Sequence, residues 1–232
     1  MAGWSLYKPP AGRFPDEGSH LERYAATFDA VEINSSFYRP HKPETYARWA
    51  ASVPADFRFA VKLPKAISHE RRLVDCSDLV ERFAGEVAGL GEKRGPILIQ
   101  LPPKLGLDRD VAARFFDLAR DRLGGLMACE PRHAGWFTLE ADALLVKHRV
   151  ARVAADPAPV PGAGEPGGWA DFRYTRLHGS PRIYWSSYDA AAIKRQAAAA
   201  RSANTETWTI YDNTASGAAL GNALAMLDLV TG

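Results

Sequence analysis

Apolar runs of strand length alternate with amphipathic runs of helix length from one end of this 232-residue chain to the other. A strand followed by a crossover long enough to return the chain pairs in parallel, so the alternation predicts an α/β fold rather than hairpins. Eight strands are read: Ala2–Leu6, Ala30–Asn34, Phe57–Leu63, Pro96–Leu101, Leu126–Arg132, Val150–Ala155, Phe172–His178 and Thr207–Asp212. Ser19 with Glu22 three residues on has the form of a capping box, and Pro43 suits the first turn of a helix. Further helices are expected from Ser77, from Asp108 or Asp110, and over Leu139–Lys147, Asp189–Ala200 and Ser216–Leu229.

One crossover breaks the rule. Pro157–Gly168 is too rich in Pro and Gly for a helix, so the sixth crossover reads as a loop that could serve as a lid. Eight strands, no hairpin signal and no glycine-rich phosphate loop after the first strand favour a single-domain (β/α)8 barrel over a dinucleotide-binding sheet. Residues 1–232 are therefore expected to form one domain, and 47% hydrophobic side chains suffice for its core.

Composition narrows the partners. A formal charge of +2 is too small for strong general affinity for nucleic acid. Cys76 and Cys129 are far apart and outside any C-x-x-C, which is the usage of a reducing cytoplasm. The opening residues have no secretory pattern, and no apolar run approaches the roughly 18 residues that a membrane span requires.

In a barrel of this class the site lies at the carboxyl ends of the strands. Alternation of side chains leaves Glu32 and Asn34, Lys62, Gln100, Glu130 and Arg132, Asp156, Arg176 and His178, and Asn213 to face away from the helices. Burying so many charges is costly unless they pair with one another and with a ligand. Lys62, Arg132 and Arg176 suit an anion, with Arg supplying bidentate hydrogen bonds. Glu32, Glu130, His133 and His178 are the candidate acid–base groups. Asn34, Tyr38, His69, Gln100, Trp136, Asp156 and Asn213 are the candidate substrate contacts, the aromatics as a stacking surface. A divalent metal on Glu32, Glu130, Asp156 and His178 is the alternative, and three cations in the same mouth weigh against it.

Several ordered blocks carry a family resemblance. They are Gly3-Trp4-Ser5-Leu6-Tyr7, Val31-Glu32-Ile33-Asn34-Ser35-Ser36-Phe37-Tyr38-Arg39, Phe59-Ala60-Val61-Lys62, Ile99-Gln100-Leu101-Pro102-Pro103, Glu130-Pro131-Arg132-His133-Ala134-Gly135-Trp136-Phe137, Arg176-Leu177-His178-Gly179 and Asp212-Asn213-Thr214. Together they resemble the YecE-like family, domain of unknown function 72. The resemblance implies a one-domain TIM-type barrel and assigns no chemistry. The Trp that usually follows the first block is replaced here by Lys8-Pro9-Pro10, which removes a stacking group.

The expectation is an enzyme doing acid–base chemistry on a small anionic substrate, phosphorylated or sugar-like. Metal-assisted hydrolysis or isomerisation at the same site is the first alternative. The second is a binding protein for a metabolite or single-stranded nucleic acid, which Arg71, Arg72 and Lys104 beyond the mouth would serve.

Overall fold

Helices begin where short polar side chains can take up the free amides of a first turn. In the computed structural model, which describes residues 1–232, Ser19 caps α1 (His20–Ala25) by accepting from Glu22 N at 3.3 Å, while Glu22 accepts from Ser19 N at 2.7 Å. Asp108 caps α5 (Arg109–Arg122), Thr138 caps α6 (Leu139–Lys147) and Asp189 caps α7 (Ala190–Arg201) in the same way. Pro43 opens α3 (Pro43–Ala51). The others are α2 (Ser35–Tyr38), α4 (Ser77–Val87) and α8 (Ala218–Thr231).

The strands fall into two sheets. In the six-stranded one, β1 (Ala30–Ile33), β2 (Arg58–Lys62), β3 (Arg94–Gln100), β4 (Met127–Glu130) and β5 (Val150–Arg152) run parallel in chain order. In the three-stranded one, β6 (Ala154–Asp156), β8 (Phe172–Leu177) and β9 (Glu206–Tyr211) are also parallel. The fold is α/β with parallel sheets, and the strands do not close into one continuous sheet.

Three expectations are corrected. The sixth strand is broken at Val153, whose amide still bonds Cys129 O on β4 at 2.8 Å, so its halves belong to different sheets. The first strand shrinks to one bridge: Gly3 N donates to Glu32 O at 2.8 Å and Ala2 N to Tyr211 O at 3.0 Å. The sixth crossover holds β7 (Gly167–Gly168), which is antiparallel to β5. Gly168 has φ +66°, and a Cβ there would meet Val150 O at 2.6 Å, so only glycine allows that pairing. The loop is pinned by Asp142, which accepts from Arg152 Nε at 3.0 Å and from Gly168 N at 3.1 Å.

Each sheet has two apolar faces. Val31, Ile33, Phe59, Val61, Ile97, Ile99, Met127 and Cys129 belong to the large core shared with the helices. Ala60, Leu98, Ala128, Ala151, Val153, Phe172, Tyr174, Trp208 and Ile210, drawn from both sheets, form a second core on the helix-free face. Polar side chains on that face have an apolar floor beneath them. Cys76 and Cys129 are free and buried, and no helix is long and apolar enough to cross a membrane.

Two glycines separate space from flexibility. Gly89 lies against the first turn of α3, where a Cβ would stand 2.1 Å from Pro43 O, whereas Gly85 in α4 has open space around it. Gly89→Ala is expected to cost about 1–3 kcal/mol through overpacking. Gly85→Ala is expected to gain about 0.5–1 kcal/mol by removing chain entropy from a helix interior. Urea unfolding of the two variants checks the opposite signs.

Candidate active site

Arg176 is completely buried, and its surroundings follow from strand register. β6, β8 and β9 align Ala155, Arg176 and Ile210 side by side, so Arg176 projects from the helix-free face above Tyr174. An arginine taken out of water needs nearly all its N–H groups met. Nε donates to Glu32 Oε2 at 3.1 Å, Nη1 to Glu130 Oε2 at 2.8 Å, and Nη2 to Glu32 Oε1 and Asp212 Oδ2, both at 2.8 Å. Those carboxylates come from β1, from β4 and from the residue after β9, so one guanidinium ties the two sheets together.

The carboxylates take further donors. Tyr174 donates its hydroxyl to Glu32 Oε2 at 2.7 Å, and Gln100 its amide to Glu130 Oε2 at 2.8 Å. His178 lies between two of them, with Nε2 2.9 Å from Glu130 Oε1 and Nδ1 3.0 Å from Asp212 Oδ2. Arg132 reaches Glu130 Oε1 and the Tyr184 hydroxyl, each at 3.3 Å.

Charge states follow from this packing. Burial alone would raise Glu130, but Arg176, His178 and Arg132 hold it well below the usual carboxylate range. Asp212 is likewise lowered: burial opposes, and Arg176 and His178 prevail. Burial would discharge His178, yet its bonds to Asp212 and Glu130 raise it above the ordinary 6.5. Both its ring nitrogens are committed to carboxylates, so His178 is an imidazolium that holds the cluster and has no free face for a substrate proton.

Lys62 differs from every other charge here. It is 6% exposed and has no carboxylate within ion-pair distance. Its Nζ rests 4.2 Å from the centroid of the Phe37 ring. Burial, then repulsion from Arg176, lowers it to about 8 despite the pull of Glu32, Glu130 and Asp212. His69 packs edge-on against the same Phe37 ring at 4.9 Å. Its Nδ1 lies 2.9 Å from Ser68 Oγ, Nε2 has no partner in the chain, and burial with repulsion from Lys62 and Arg132 keeps the ring neutral. Over the cluster Tyr184, in the left-handed region at φ +65°, sits edge-on to His178 at 5.5 Å.

Of the residues expected at the mouth, Glu32, Lys62, Gln100, Glu130, Arg132, Arg176, His178 and His69 come together. Asn34 lies just after β1, with Oδ1 buried and unpartnered. The others are elsewhere. Asp156 aligns with Leu177, one residue out of phase with Arg176, and so faces the groove of about 720 Å³ beside α7 that the missing sixth helix leaves open. Trp136 is buried, donates to Leu105 O at 3.0 Å, and is a packing group with no face to offer a ligand. His133 is exposed and accepts from Gly135 N at 3.0 Å, capping a turn. Tyr38 is 72% exposed, on the outer side of Phe37. Asn213 is turned toward α8, donating to Asn222 Oδ1 and Ser186 O, both at 2.8 Å.

Asp212, Tyr174 and Tyr184 also belong to the cluster, although the sequence reading gave none of them a role. Counting alternation along β9 through Trp208 and Ile210 would have found Asp212 in place of Asn213. The proposed metal set does not fit either, because Asp156 faces away and the oxygens of Glu32 and Glu130 are engaged by Arg176, His178 and other donors. No cluster of three or more His, Cys, Asp or Glu has metal-holding geometry.

Comparison with known proteins supplies the lineage. A family model described as "Protein of unknown function DUF72" matches residues 1–232. The protein YecE of Escherichia coli K12 is 37% identical over 147 residues, 60% of this chain and 53% of that one. YunF of Bacillus subtilis is 24% identical over 149 residues, 60% of this chain and 51% of that one. The chain thus spans about half the length of the curated relatives it matches. A DUF72 protein of Enterococcus faecalis superposes with TM-score 0.83 at 20% identity, covering 100% of this chain and 94% of that one. One from Thermotoga maritima gives 0.78 at 22%, covering 100% and 98%. These two likenesses establish the fold.

The cluster predicts opposite pH responses. The stability contributed by charged His178 is full below the ordinary 6.5 and lost as pH rises through its higher folded value. That from Glu130 and Asp212 is full above the ordinary carboxylate range and lost as pH falls through their lowered values. Nuclear magnetic resonance titration should place the His178 midpoint above 6.5 and those of His41, His69 and His148 below it. A His178 midpoint under 6.5 would contradict the double carboxylate clamp. Arg176→Met, which strands three carboxylates, is expected to cost about 3–5 kcal/mol in urea unfolding.

Proposed function

The chain belongs to the DUF72 family, and for this member we propose an enzyme that does acid–base chemistry on a small anionic substrate held above the Arg176 cluster. The observation that carries the reading is Lys62. Three carboxylates, Glu32, Glu130 and Asp212, balance three cations, Arg176, His178 and Arg132, and Lys62 is one positive charge over. A buried positive charge without a partner is unfavourable until an anion meets it. Arg132, partly exposed and paired with Glu130, offers a planar set of donors to a carboxylate or phosphate.

The acid–base roles move from those the sequence suggested. His178 has no free nitrogen, whereas His69 is neutral with Nε2 unpartnered, and Lys62 gives up its proton near pH 8. In this reading His69 and Lys62 transfer protons, Arg132 and Lys62 hold the anion, and Glu130, Glu32 and Gln100 position the cations. Tyr184 roofs the cluster, so its loop must swing aside to admit substrate.

The same reading takes the two sheets as arcs of one eight-fold barrel wall. The bonds of residues 2 and 3 to Tyr211 and Glu32, and the second apolar core built from both sheets, support it. The Arg176 cluster would then lie at the carboxyl mouth of that wall.

Binding can be tested without knowing the substrate. Phosphate, oxalate and malonate should each raise the melting temperature, and Lys62→Met and Arg132→Ala should each weaken that binding about tenfold or more, since loss of a charge-assisted bond costs about 1.5–3 kcal/mol. Equal shifts in the wild type and both variants would sink the anion site.

A further inference from the structure

We propose that Lys62 is an imine-forming nucleophile and that the substrate of this site is an aldehyde or ketone carrying a carboxylate or phosphate, as a 2-oxo acid does. The inference rests on the anion site above and names the reacting atom within it. Lysine attacks carbonyl carbon only as the free amine, and proteins obtain that form by desolvating the side chain and setting it beside other cations. Both conditions hold here. Nζ stands over the Phe37 ring with no hydrogen bond, and it is not sealed from solvent. Arg176 lies close enough in the same cluster to repel the ammonium.

Charge balance lets the same amine shed its proton and act as a nucleophile. The three carboxylates are already matched by Arg176, His178 and Arg132, so Lys62 loses its proton without leaving an anion unpaired. At neutral pH a value near 8 leaves roughly a tenth of the amine free, against well under a hundredth for an ordinary lysine.

The step is redox-neutral. The Nζ lone pair forms the C–N bond as the carbonyl π pair moves to oxygen. The two amine hydrogens pass to that oxygen, His69 Nε2 being the free base that relays them. Water leaves, and the C=N bond remains. Arg132 would hold the anionic group of the same molecule.

Glyoxylate and pyruvate with cyanoborohydride test this on the full chain. The reductant converts any imine to a stable carboxymethyl- or carboxyethyl-lysine, and peptide mass mapping over a time course locates it. Lys62 is expected to be labelled about tenfold or more faster than exposed lysines such as Lys42, Lys104 and Lys194, in line with its larger free-amine fraction. Excess phosphate should slow labelling at Lys62 alone. Labelling of Lys62 no faster than the exposed lysines, with both probes, overturns the proposal. Thermal stabilisation by phosphate in the same samples separates the two failures: phosphate binding without labelling leaves the anion site and removes the imine, and neither result removes both.

Discussion

A single buried guanidinium sets the terms for this structure. Arg176 on β8 spends four of its five N–H groups on carboxylates from three distant parts of the chain. A buried ion pair contributes little net stability against an apolar replacement, but removing one member strands the other charges. The bonds also require that the helix-free faces of both sheets meet at one height. Glu32, Glu130 and Asp212 can reach Arg176 together only if β1, β4 and β9 keep their register. The cluster is thus a constraint on alignment as much as an assembly of charges.

That constraint explains what is left over. Glu32 and Glu130 have both oxygens engaged, and His178 has both nitrogens engaged. Among the groups with unused capacity are Lys62 and His69, which follow one another through β2 and the turn after it and share the Phe37 ring. The paired ions fix a floor, and the unpaired groups sit where a ligand would meet them. Binding capacity is therefore sought by subtraction, among the polar groups the fold has not already satisfied.

Much of this was legible in the sequence, and the failures have physical causes. Capping residues Ser19, Asp108, Thr138 and Asp189 marked helix starts because their chemistry is local. Alternation placed Glu32, Lys62, Gln100, Glu130, Arg176 and His178 on one face because a strand has period two. It failed at strand ends, where the chain leaves the period: Asp156 and Asn213 are each one residue out of phase. Trp136 and His133 read as mouth residues because a charged motif precedes them, yet their partners, Leu105 O and Gly135 N, arise from a turn that no periodicity describes. That both nitrogens of His178 are bonded, and Nε2 of His69 is not, is likewise visible only in the folded chain. The two-residue β7 likewise depends on tertiary bonds from Arg152 and Gly168 to Asp142.

Lys62 is surplus to a balanced ionic floor, and its own titration is the measurement that bears on this first. Lysine labelled with carbon-13 at Cε, followed by nuclear magnetic resonance from pH 6 to 11 and assigned through Lys62→Arg, reports the proton affinity of that one ammonium. The account predicts a midpoint near 8, well below those of the surface lysines. A midpoint at the ordinary lysine value of 10.5 would contradict it, because Lys62 would then have a carboxylate partner and no reason to wait for a ligand.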